Sequence, residues 1–122
     1  MQRSRFFATV TAAFVLAALT AAGAAFADSF ANVALVDANC ANKVKADPDA
    51  HPRSCALKCA GSGYGIWTAD GKLLKFDAPG SEKALALLNA SDRKDHLRVD
   101  VKGTLEGEAL KVESIEFAKP PA

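Results

Sequence analysis

A mainly β fold, a five-stranded barrel with two short helices behind an N-terminal export segment, is what this sequence predicts. Three observations carry the expectation. Short β-prone runs recur along the chain between turn-forming residues. Leu97, Val99 and Val101 alternate strictly with Arg98, Asp100 and Lys102, as a strand with one buried face requires. A helical stretch with its own start signal, 81–89, falls between the third and fourth of the five β-prone runs.

The export segment comes first in the chain. Arg3 and Arg5 precede an apolar run from Phe6 to Ala25, and the run ends in Ala25-Phe26-Ala27, the small-x-small pattern that a signal peptidase accepts. Residues 1–27 are therefore expected to be a cleavable signal peptide, 28–118 a single domain and 119–122 a C-terminal tail. The implied compartment is the periplasm or the exterior, with no stable membrane anchor after cleavage. Removing residues 1–27 takes two of the 15 basic residues and none of the 14 acidic ones, so the net charge moves from +1 to −1. Neither sign forms a long block in what remains, which argues against nucleic acid as a partner. The partner expected instead is an unknown protein or a small ligand.

Within the domain, Val33–Val36 is apolar and β-prone and is expected to form the first strand. The polar stretch 38–53, with Pro48 and Pro52, predicts a loop. Pro52 suits the first position of a short helix and Gly61 its end. Gly65–Thr68 and Lys72–Phe76 are short strands joined by Ala69-Asp70-Gly71, a hairpin turn that exploits glycine's access to positive φ. Ser81 is placed to cap the second helix, with Ala84, Leu85 and Leu88 on its apolar face. The Leu97 strand follows, Glu106-Gly107 turns the chain, and Leu110 and Val112 begin the last strand. Ile115 and Phe117 fall out of phase with Val112, which predicts a bulge near Ser114.

This order of five strands, with a helix between the third and fourth, is that of an OB-fold-like barrel. Leu97 to Ile115, V-x-V-x-G-x-L-E-G…L-x-V-x-S-I, looks like its closing hairpin. Together with Asp37-x-x-Cys40, His51-x-x-x-Cys55-Ala56-x-x-Cys59 and Thr68-x-Asp70-Gly71, the chain from Val33 to Phe117 resembles a group of small exported bacterial OB-fold-like proteins of unassigned function. The resemblance implies a fold rather than an activity. The first strand departs from it by lacking a V-x-G-x-V form.

Chemistry is expected at Cys40, His51, Cys55 and Cys59. His51, Cys55 and Cys59 are spaced four residues apart, which on a helix stacks the two sulfurs on one face with the imidazole at its start. Three sulfurs and one nitrogen suit zinc or copper, and Asp37 is placed to support the histidine from behind. In an oxidising compartment the same cysteines suit a disulfide, Cys40 with Cys55 or with Cys59, leaving one thiol over. The two readings stay open together. An exported binding or accessory module stabilised by a disulfide is favoured narrowly over a metal-binding protein. No enzyme is expected, although thiol-redox activity is the third class. Tyr64 and Trp67, beside a glycine-rich turn, are weaker candidates for an aromatic binding face. His96 is expected to be a solvated histidine at a strand end.

Overall fold

The computed structural model describes residues 27–119. The expected signal peptide, but for Ala27, and residues 120–122 of the tail lie outside the described residues. Five strands close into a barrel: β1 (Asp28–Asp37), β2 (Tyr64–Trp67), β3 (Leu73–Phe76), β4 (Arg98–Glu106) and β5 (Ala109–Phe117). Two α-helices accompany them, α1 (Arg53–Lys58) and α2 (Ala78–Asn89), together with single 3-10 turns at Pro48–Ala50 and Ala60–Ser62. The strands run β1-β2-β3-β5-β4 around the barrel, and β4 closes it by pairing back onto β1. Every pairing is antiparallel except β3 with β5, which runs parallel over Lys75 opposite Ala109 and Phe76 opposite Leu110. This is the OB-fold-like order that the sequence predicts.

The first strand is longer than Val33–Val36. Its outer half is mostly exposed, so it carries no hydrophobic alternation to read. Between Phe30 and Val33 the register against β4 slips. Asn32 takes a positive φ of 51° there, and its N–H donates to the Asp100 carboxylate at 2.8 Å. Asparagine tolerates that conformation better than most residues. The resulting bend lets one strand pair with β4 over its outer part, Asp28 to Ala34, and with β2 over its inner end, Ala34 to Asp37.

The last hairpin carries the expected bulge. Lys102 faces Ser114 but Gly103 faces Val112, so Glu113 is the extra residue of β5. The backbones approach so closely that a Cβ on Gly103 would run into the Lys111 carbonyl oxygen.

Helix α2 begins three residues before the expected cap at Ser81. Asp77 caps it, accepting from the Gly80 N–H at 3.0 Å, with proline in its first turn. The Ser81 hydroxyl instead accepts from the Tyr64 N–H at 3.1 Å and ties the helix to β2. Pro79-Gly80 resembles a turn in sequence, and glycine is needed here for a packing reason: a Cβ on Gly80 would stand 2.6 Å from a Val112 methyl. Ala84 and Leu88 of α2 are fully buried against Leu35, Ile66, Leu97, Val99, Val101 and Leu110. Burying each such leucine or valine side chain stabilises the fold by roughly 1.5–3 kcal/mol.

A second, smaller cluster lies on Val36, Ala41 and Trp67, with Val44 and Leu73 against it. It fastens the start of the β1–β2 connection, residues 38–63, to the barrel. Its middle is fastened by Arg53, whose backbone N–H reaches the Lys94 carbonyl at 2.8 Å and whose Nε reaches the Arg93 carbonyl at 2.9 Å.

Candidate functional site

Cys40 sits where the β1–β2 connection leaves β1 and Cys59 near where it returns to β2, while Cys55 lies within α1. Asp37 is the last residue of β1 and is fully buried. Its Oδ2 accepts from the Cys40 N–H at 2.9 Å, a local turn that aspartate favours because its short carboxylate reaches the backbone three residues on. The other end is held by the 3-10 turn after α1. Ala38 N–H donates to the Gly63 carbonyl at 2.9 Å, and Asn39 N–H to the Ser62 hydroxyl at 3.2 Å. Ser62 in turn donates to the Cys59 carbonyl at 2.7 Å. These bonds bring Cys40 and Cys59 together across the mouth of the connection.

One ligand atom each from Asp37, Cys40 and Cys59 lies within 4.8 Å of the others. The carboxylate is buried and both cysteines are half-buried. The Asn39 side-chain amide points an N–H at the Cys59 sulfur, 3.6 Å away. All three cysteines are free thiols. Burial first, then the Asp37 carboxylate and the neighbouring Cys59, push the Cys40 thiol above its ordinary pKa. A thiol held in its neutral form is a poor nucleophile, which weighs against Cys40 as the attacking group of a thiol-exchange enzyme.

The expected four-residue set does not assemble. Cys55 stands outside the group, and so does His51. The reason is local. Helix α1 ends at Lys58, and Cys59 already has the non-helical angles φ −97°, ψ 19°. His51 precedes the helix in extended backbone, φ −70°, ψ 113°. Spacing by four aligns side chains only on a continuous helix, and neither end of the series lies on one.

His51 is buried with its Nε2 at 2.6 Å from Asp37 Oδ1, so the ring nitrogen donates to the carboxylate. The expected link between Asp37 and the histidine is therefore present, but Asp37 belongs to the thiol cluster and His51 stands behind it. Asn39 and Ser62 escaped the sequence reading. Single polar residues in a loop carry no periodicity, and only the i to i+3 spacing of Asp37 and Cys40 hinted at the turn.

Tyr64 and Trp67 do not form a shared aromatic face. Tyr64 is buried in the main core, where its hydroxyl donates to the Ala56 carbonyl at 2.8 Å. Burial, then Asp37, then Cys59 raise its pKa. Trp67 is buried in the second cluster, its Nε1 donating to the Ala41 carbonyl at 3.0 Å, with Lys45 over the ring at 5.1 Å. His96 is exposed and bonded to Asp95 at 2.7 Å, which raises its pKa.

No protein-family model, no curated protein and no solved structure matches the chain.

Proposed function

We propose that this chain is exported and works as a small binding or accessory module on its OB-fold-like barrel, with a Cys40–Cys59 disulfide closing the β1–β2 connection. The observation that carries the reading is the approach of the Cys40 and Cys59 sulfurs to within 4.8 Å, while Cys55 stays apart. Oxidation moves two protons and two electrons from the pair to a disulfide donor of the compartment, which leaves as two thiols. Cys59 is thereby preferred to Cys55 as the partner of Cys40, and Cys55 is the thiol left over. The barrel provides shallow binding space away from the sulfurs: a groove of about 550 Å³ lies between Trp67, Leu73 and Leu105 and is flanked by Lys72, Lys75 and Glu108. Export is supported by the sequence of residues 1–27, a basic start, an apolar run and the Ala25-Phe26-Ala27 pattern.

The test is to express the full chain with its leader in a bacterium and to isolate the protein from the periplasm without reductant. The expected product begins at Asp28, exposes one alkylatable thiol at Cys55, and gains two hydrogens in mass on reduction. Three alkylatable thiols, or a bond that includes Cys55, would overturn the disulfide. Retention of Met1 in the cell interior would overturn export.

A further inference from the structure

We infer that the reduced chain binds one zinc ion between Asp37, Cys40 and Cys59, with a fourth position left to water or a small ligand. The inference rests on the same two sulfurs as the disulfide reading but on their reduced state, so one excludes the other at any moment. The geometry is close to what the ion needs. Two thiolates on a tetrahedral zinc, each about 2.3 Å from the metal, stand about 3.8 Å apart. The ligand atoms here all lie within 4.8 Å of one another, so closure asks for movement of about 1 Å at most.

The donors also point to zinc rather than to copper(I). Copper(I) prefers sulfur alone, whereas zinc takes thiolate and carboxylate together. Asp37 is a fully buried carboxylate whose two oxygens are already aimed, Oδ1 by His51 at 2.6 Å and Oδ2 by the Cys40 N–H at 2.9 Å. Each oxygen keeps a further lone pair for a cation. The Asn39 N–H at the Cys59 sulfur supplies the outer hydrogen bond that metal-bound thiolates receive. The roles expected from sequence are thus exchanged: Asp37 is the ligand, and His51 is the group behind it that fixes its orientation. Binding displaces the two thiol protons to solvent, and the ion's two positive charges meet two thiolates and one carboxylate. Three protein ligands and one open vertex make a site that can hold a further donor from a partner or a small molecule.

The test uses the full chain without its leader, reduced and handled anaerobically. Zinc(II) is titrated against a chromophoric chelator, and cobalt(II) serves as an optical probe of sulfur ligation. One ion per chain and a sulfur-to-cobalt charge-transfer band are expected. Cys55→Ser should bind as the parent does, whereas Cys40→Ser or Cys59→Ser should weaken binding more than about 100-fold. His51→Gln should weaken it by about 10- to 100-fold, the usual effect of removing an outer-shell partner. Circular dichroism confirms that each variant is folded, and the comparison of Cys55→Ser with Cys59→Ser decides the matter even where changes at Asp37 or His51 unfold the chain. Absence of zinc from the folded, reduced chain overturns the inference. So does loss of binding in Cys55→Ser, or unchanged binding in Cys59→Ser. Thiol counting on the oxidised protein is scored separately, so failure of zinc binding with an intact Cys40–Cys59 bond refutes this inference alone.

Discussion

His51 Nε2 lies 2.6 Å from Asp37 Oδ1, with both side chains buried. The bond joins the last residue of β1 to the residue that leads toward α1, and so it holds together two parts of the connection that local hydrogen bonds leave separate. His51→Ala would leave a buried carboxylate without its ring donor, and the loss of stability should be about 3 kcal/mol. Urea unfolding of the reduced protein measures it. The double variant His51→Ala, Asp37→Ala should lose less than the sum of the single changes, because the partner left unpaired is then absent as well.

A Cys40–Cys59 bond would close a loop of roughly 20 residues and should add about 3 kcal/mol in the chain-entropy description. The oxidised parent is therefore expected to unfold at higher urea than the same protein under reductant. Cys59→Ser should remove that difference, and Cys55→Ser should keep it. An equal loss in both serine variants would contradict the pairing.

Gly103→Ala should destabilise the protein by about 1–3 kcal/mol, because the added Cβ would meet backbone rather than a side chain that can turn away. The strands at the β5 bulge would have to part. Unfolding midpoints test this, with Gly61→Ala as the control, since a Cβ there meets nothing within 4 Å.

Arg98 grips Asp49 with two bonds of 2.7 and 2.9 Å, fastening the 3-10 turn before His51 to β4. The Arg98 hydrogen bond is the chief cause that holds the Asp49 carboxyl below its ordinary pKa. A folded-state value depressed in this way contributes stability that is present above the unfolded value, near 4, and is lost as the pH falls through the lower folded value. The Asp49→Asn variant should therefore be less stable at pH 7, by about 1 kcal/mol or less because the pair is partly exposed. Parent and variant should converge in acid, which unfolding midpoints between pH 7 and pH 2.5 would show.

Much of the barrel was legible because its strands carry period-two patterns that survive without context. Leu97, Val99 and Val101 are buried as their alternation required, and the phase slip before Ile115 marked the bulge correctly. The outer half of β1 was not legible, since its exposed residues leave no apolar face. Asp77 was missed as a helix cap because Pro79-Gly80 carries the chemistry of a turn, and only the Val112 methyl pressed against Gly80 explains a glycine in that first turn.

The sequence by itself determined the order of strands and helices along the chain and the segment in which the thiols lie, because those follow from hydrophobic period, turn chemistry and spacing. Which thiols meet was decided by tertiary structure alone. Cys40 and Cys59 are brought together by the bonds from Ala38 and Asn39 to Gly63 and Ser62, across a loop whose path no periodicity records. His51 faces Asp37 rather than the cysteines for the same reason: α1 is too short to carry a four-residue spacing through to either end.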